Sequence, residues 1–296
     1  MAAYSIRDLE ILTGVKAHTI RIWEKRYHIV EPLRTVTNIR YYSDKDLKKL
    51  LNISLLNKHG LKISSIASLK KEEIKNKIIE FTYNQLDADS QIDNLIIEMM
   101  DLNEMKFDNI ISNCIQNLGF EQTVIKILFP FLIRIGVLWQ TESIIPAQEH
   151  FISNIIRQKL IVAIHDLPIN ALNINKKFIL FLPEGELHEL GLLFYYYLVK
   201  KRGFHVLYLG QSLPFNDLIE VSRTYEPGYF ITCFTSPLPQ DEFNAYLTQL
   251  SETFSTQQIF ISGPQILMNN FPISRNIVNF SSITSLKQEL EIIRDN

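Results

Sequence analysis

The sequence predicts a multidomain α and α/β protein, and three changes of rhythm predict it. Residues 1–75 form short helical stretches around a glycine turn. Residues 76–170 repeat apolar positions at spacings of three and four, the period of a helix buried on one face. Residues 176–296 alternate short apolar runs with amphipathic stretches, as a parallel sheet covered by helices requires. At roughly 100–200 residues per domain, 296 residues accommodate two or three such units.

In the first segment, Ser5 stands as a helix cap before Ile6, Leu9, Ile11 and Leu12, and Thr13-Gly14 ends that helix. A second helix is expected from about Lys16 to Tyr27, with Val15, Ile20 and Trp23 on one face. Two helices joined by a tight glycine turn are the helix-turn-helix pattern. Residues Glu31–Tyr42 read as extended, and Pro32 lies among them. Ser43, with Asp46 three residues on, caps a third helix through Leu47, Leu50, Leu51 and Leu55 to Gly60; a fourth begins near Ser64. The extended stretch beside the helices makes this a winged helix-turn-helix.

The helical middle carries Ile74, Ile78, Ile79 and Phe81, then Leu95, Ile96 and Met99. Val124, Ile127, Leu128, Leu132 and Ile135 follow, then Ile152, Ile155, Ile156 and Leu160. Four or five helices of this kind make a bundle. In the last segment the strands are expected at Phe178–Leu182, Val206–Leu209, Tyr229–Phe234, Ile259–Ser262 and Ile277–Phe280, with helices near 188–202, 214–225, 241–250 and 283–293. That is a flavodoxin-like, doubly wound parallel sheet.

The net charge of −2 conceals an asymmetry. Residues 1–75 hold 15 Lys and Arg against 8 Asp and Glu, a net +7, and the remainder is −9. A basic head on an acidic body suits a nucleic-acid-binding module joined to a sensing one. Hydrophobic residues at 46% and charged ones at 21% are ordinary for a chain that buries cores. No stretch of about 18 apolar residues is evident, so no membrane partner is expected. The opening MAAYSIRDLE does not read as a signal peptide, and Cys114 and Cys233 lie far apart, so a cytoplasmic location is expected. Nothing suggests a nucleophile paired with a base, so no enzyme activity is expected.

SIRDLEILTGVKAHTIRIWEKRY, followed by VEPLRTVTNIRYYSDKDLKKL, resembles the MerR family of transcriptional regulators over about the first 70 residues. Lys16, His18, Thr19 and Arg21 cluster at the start of the second helix, the end that enters a major groove. Arg21, Lys25, Arg26, Arg34 and Arg40 can reach phosphates, and Tyr41 can donate from its hydroxyl. Trp23 reads as core packing. For Arg34 and Arg40, a phosphate contact stands beside the plainer reading of a solvated charge. The resemblance implies a homo-oligomer, dimer or tetramer, on pseudo-palindromic double-stranded promoter DNA.

Two further patterns concern a ligand. Glu186-Leu187-His188-Glu189-Leu190-Gly191 follows the first strand of the sheet. Glu186 and His188 are two apart and would not share a helix face. They fit a loop at the carboxyl end of a strand, where open α/β sheets bind ligands. A carboxylate holding one imidazole nitrogen prepares the other for a metal, and Gly191 leaves room beside the helix start. The pattern resembles the Asp-x-His-x-x-Gly signature of cobalamin-binding domains, with Glu in place of Asp. That resemblance implies His188 as the lower axial cobalt ligand and Glu186 as its hydrogen-bond partner.

Trp139 followed, after nine residues, by Glu149-His150 resembles the CarH/LitR-type photoreceptor repressors, which join a MerR head to a helical bundle and a cobalamin domain. The resemblance implies that adenosylcobalamin lies between the bundle and the α/β domain, Trp139 covering its upper face and Glu149 and His150 meeting the adenosyl group. Ser212-Leu213 resembles the region that holds the nucleotide tail, although Ser212 can equally cap the helix at Pro214. Ser262-Gly263-Pro264 stands where the family has Gly-Gly. Gln140 stands where light-responsive relatives have a His that captures cobalt, and glutamine is no substitute for imidazole there. A regulator whose cobalamin fold binds another ligand or a protein, and a corrinoid carrier of an enzyme system, are the alternatives.

Overall fold

A computed structural model describes residues 4–34, 38–58, 60–70, 72–74, 77, 88–140, 144–168, 173–268 and 274–295. The chain divides into two compact units, Met1–Ile155 and Ile156–Asn296, and the helix Pro146–His165 runs through the division.

In the first unit Ser5 caps the helix Ile6–Thr13 through a reciprocal box: Asp8 N–H donates to the Ser5 hydroxyl, and Ser5 N–H donates to the Asp8 carboxylate. Gly14 ends the helix at φ 69°, a left-handed conformation that costs glycine least. The second helix, Ala17–Tyr27, starts with no cap from its own residues. Glu10 of the first helix accepts from the Ala17 N–H at 3.0 Å and pairs with Lys16 at 3.0 Å, which fixes the angle between the two helices. Trp23 and Ile20 are buried with Leu9, Leu12, Leu47, Leu50 and Leu51, so the core reading of Trp23 holds. Strands β1 (Leu33–Arg34) and β2 (Arg40–Tyr41) pair antiparallel as the wing. The third helix, Asp44–Lys58, has the Ser43–Asp46 box, and Ile63–Ala67 is the fourth.

The bundle helices are Ala88–Met100, Glu104–Leu118, Phe120–Thr123, Phe129–Gln140 and Pro146–His165. Ile78, Ile79 and Phe81 lie outside the described residues. Leu95, Ile96, Met99, Phe107, Phe131 and Ile135 form the bundle core, with the rings of Phe107 and Phe131 5.6 Å apart. A wide π turn, Val124–Leu128, interrupts the apolar helix, the Phe129 N–H donating to the Val124 carbonyl. Pro130 brings no N–H, and its ring crowds the carbonyl four residues back, which explains the wider turn. By length and composition Phe120–Trp139 could cross a membrane. In this fold its Val124, Ile127, Leu128, Phe131 and Ile135 are buried in the bundle core. A buried carboxylate, Asp93, pairs with Arg134 at 2.5 Å and Lys58 at 3.6 Å; burial pushes its pKa up and the two cations pull it partly back.

In the second unit five parallel strands, β3 (Asn173–Pro183), β4 (Phe204–Leu213), β5 (Tyr229–Cys233), β6 (Gln258–Ser262) and β7 (Ile277–Asn279), stand in the order β4-β3-β5-β6-β7. That is the flavodoxin order, and its switch point lies between β3 and β5. Helices Leu190–Lys201, Phe215–Tyr225, Gln240–Thr253 and Ile283–Asp295 connect or flank the strands, as the sequence rhythm indicates. A short helix, Pro264–Met268, is additional. Phe178–Leu182 are all buried because helices cover both faces, which is why the strand reads as an unbroken apolar run.

Phe230 is fully buried on β5, its ring 4.5 Å from Phe254. Phe230→Ala is expected to cost about 3–5 kcal/mol, read as a lowered urea midpoint for the second unit.

Candidate functional site

The head presents its basic side chains in two states. His18, Arg21, Lys25 and Arg26 are exposed along the second helix, with Thr19 half-buried beside them. Others are already engaged within the head. Lys16 pairs with Glu10. Arg34 donates to the Asn38 side chain at 2.6 Å and so closes the wing on itself. Arg40 pairs with Glu24 at 3.3 Å, and the Tyr42 hydroxyl donates to the same carboxylate. Tyr41 is half-buried on β2.

The loop after β3 gathers the second set. Glu186 is buried and accepts from the backbone N–H groups of Thr235 at 2.7 Å, Ser236 at 2.6 Å and His188 at 3.0 Å, and from the Ser236 hydroxyl at 3.0 Å. The His188 ring meets it through Nδ1 at 2.6 Å, yet the His188 side chain is 63% exposed. A proton held on Nδ1 by the carboxylate leaves the lone pair on Nε2, the metal-binding form of imidazole. Burial by itself raises the Glu186 carboxyl. The hydrogen bonds from His188, Ser236 and Thr235 together outweigh it and hold the pKa at about 2. Gly191 opens the following helix, and a Cβ there would meet nothing within 4 Å.

Thr235 and Ser236, which sequence reasoning missed, complete this arrangement. The available signal was their place directly after β5, across the switch point from β3. A second missed network lies beside it. Glu189 accepts from Arg157 at 2.7 Å and from the Tyr208 hydroxyl at 3.0 Å, which ties the middle of the long helix and β4 to the residue after His188.

In the first unit, Trp139 is 47% exposed near the end of its helix, a large apolar ring left outside the core. Glu149 and His150 stand in the first turn of Pro146–His165, 2.8 Å apart, with the Ser153 hydroxyl also donating to Glu149. The side chain of Gln140 lies outside the described residues.

Of the two readings of Ser212, the helix cap is not formed. Its hydroxyl accepts from the Gly185 N–H at 3.0 Å and caps no helix; its own N–H donates to the Glu186 carbonyl. The reason is its left-handed backbone, φ 48°, which directs it at the neighbouring loop. Leu213 packs against the sheet core. At Gly263, φ is 115° and a Cβ would stand 2.3 Å from the Phe234 carbonyl oxygen, so glycine is required there by the fold itself.

Two family models match parts of the chain. Residues 4–73 match the MerR HTH family regulatory protein model, and residues 91–163 match the B12 binding domain model. The first match spans the helix-turn-helix head and the second the helical bundle, each about a quarter of the chain. The chain is 24% identical over 255 residues to the HTH-type transcriptional repressor CarH of Myxococcus xanthus, covering 84% of each chain. It is 24% identical over 261 residues to the transcriptional repressor CarA of the same organism, covering 87% of this chain and 85% of that one. In fold it is similar to the monomethylamine corrinoid protein of Methanosarcina barkeri, with a TM-score of 0.53 and 14% identity, over 67% of this chain and 96% of that one. Both of these Myxococcus xanthus relatives are named as HTH-type transcriptional repressors.

Two outcomes follow from this geometry. Because the folded pKa of Glu186 lies below its ordinary 4.5, its stabilising contribution is complete above about pH 4.5 and is lost as pH falls through about 2. Glu186→Gln removes that dependence, and melting temperatures measured across this range should fall less steeply than in the wild type. Gly263→Ala forces both a left-handed alanine and a backbone clash, and should cost well over 1 kcal/mol, read as a lowered melting temperature.

Proposed function

We propose that the chain is a transcriptional repressor whose hold on double-stranded promoter DNA is set by cobalamin, taken as adenosylcobalamin. The observation that carries this is the Glu186–His188 pair on the switch-point loop of a chain that also has a MerR head. Three functional segments follow: 1–75 for DNA, 76–170 as a cobalamin cap, and 176–296 for the cobalamin itself.

In this reading His188 Nε2 would hold the cobalt, and Glu186 would keep the imidazole in its ligating tautomer. Thr235 and Ser236 keep Glu186 ionised by supplying three donors. One exposed imidazole suits a metal whose other ligands come with its macrocycle. Trp139 would offer a flat apolar surface to the cofactor, and Glu149 and His150 would offer polar contacts to an adenosyl group. When bound, adenosylcobalamin supplies a cobalt–carbon bond that visible light can break. At the head, His18, Thr19 and Arg21 read the major groove while Lys25 and Arg26 meet phosphates. Lys16, Arg34 and Arg40 reach DNA by exchanging their internal partners, and Tyr41 adds its hydroxyl. The regulator works as a homo-oligomer, dimer or tetramer, in the cytoplasm. Ligand control requires cobalamin to bind one assembly more tightly than another.

A second reading is favoured by one set of observations. The Ser212 hydroxyl accepts from Gly185, and Gly263 is required by the Phe234 backbone, so each has a role in the fold that needs no nucleotide tail. In that reading the α/β unit binds a different ligand or a protein.

The test mixes purified protein with adenosylcobalamin in the dark and separates free cofactor on a sizing column. The visible spectrum and elution volume are recorded before and after green light, beside His188→Ala. Co-eluting cofactor that the variant loses establishes the axial ligand, and a change of size on illumination establishes a light response despite Gln140. A wild-type chain that retains no cofactor ends the cobalamin reading and leaves the second.

A further inference from the structure

The turn between the two head helices is held from outside the head. The helix Ile6–Thr13 ends with carbonyls that its own backbone leaves without donors, as every α-helix does. The Ser54 hydroxyl, from the third helix, donates to the Thr13 carbonyl at 2.9 Å. The Leu12 carbonyl accepts from Arg134 Nη1 at 3.3 Å, across 122 positions of sequence. Arg134 belongs to the bundle helix Phe129–Gln140, and the same Nη1 donates to Asp93 at 2.5 Å. Asp93, 1% exposed, takes its second cation, Lys58, from the third helix of the head. One buried carboxylate therefore gathers a cation from the head and one from the bundle, and the bundle cation caps the head's first helix. Thr13 itself is busy: its hydroxyl donates to Leu9 and accepts from the Val15 N–H, two residues before the recognition helix begins. Trp139 lies five residues beyond Arg134 on the same helix.

We propose that Arg134 is a positioning residue for DNA binding, which holds the helix-to-helix turn of the head so that a shift of its own helix alters how residues 16–26 meet the groove. The lever suits a signal received at Trp139, and that regulatory part rests on the cobalamin reading above. The positioning part rests on the MerR head alone. A buried ion pair broken on one side is strongly destabilising, whereas an apolar pair of similar volume is tolerated. A tie that acts only through stability and one that sets geometry are therefore separable.

The full-length chain is compared with Arg134→Lys, which keeps a cation for Asp93 but loses the planar fork, and with the double variant Arg134→Met/Asp93→Leu. The DNA probe is a duplex selected from a random pool by the wild-type chain. Both variants should melt within a few degrees of wild type and bind that duplex about tenfold more weakly. Amide exchange should quicken at Gly14 and Val15 while Leu50, Leu51 and Ile53 stay protected. The ratio of DNA affinities with and without adenosylcobalamin should fall towards one. Wild-type DNA affinity in both variants would overturn the proposal, as would exchange that quickens evenly through the head. A wild-type chain that selects no duplex would also overturn it. If the wild type shows no cobalamin spectrum, the cobalamin reading fails, and DNA affinity and exchange still decide the role of Arg134.

Discussion

The Glu186 carboxylate gives the candidate site its shape, because three loops of the sheet are defined relative to it. Its side chain draws in the loop after β5 through Thr235 and Ser236, and its backbone carbonyl takes the Ser212 N–H from the end of β4. Ionised carboxylates seldom survive burial unless several donors face them. Once those donors are in place the carboxylate is rigid, and so is the imidazole it holds. The exposed ring is thus positioned by a buried charge. Preorganisation of this kind lowers the cost of orienting a side chain when it meets a partner.

The α/β unit was legible in its sequence because parallel strands covered on both faces leave unbroken apolar runs, Phe178–Leu182 above all. The head was legible through its punctuation: Ser5, Gly14 and Ser43 each stop or start a helix for a local reason. The pairing of Glu186 with His188 was visible too, since two residues in one short loop need no knowledge of the fold to meet. Thr235 and Ser236 were not, because only the switch-point topology brings residues after β5 to the loop after β3. That Ser212 caps no helix was hidden for a related reason, since its left-handed backbone places the hydroxyl beside Gly185 of the neighbouring loop.

The bundle hid more. Helical periodicity describes a regular helix and is silent on the π turn at Val124–Leu128, whose cause is a single proline. It is also silent on charge. Asp93 and Arg134 sit within apolar patterns as apparent interruptions, and no spacing links residues 12, 58, 93 and 134. Their meeting is a product of tertiary packing, in which a buried acid selects whichever cations the surrounding helices bring near it.

The head's internal ion pairs give its DNA chemistry a competitive character. Lys16 and Arg40 are neutralised by Glu10 and Glu24, and Arg34 is occupied with its own wing. A phosphate that recruits one of these cations must displace a carboxylate or an amide, so less charge is newly neutralised than the count of basic residues implies. Fewer counterions are then released from the duplex, and affinity falls less steeply with salt. A head built this way is held back from binding any passing DNA by charge alone, and depends more on geometry to choose its site.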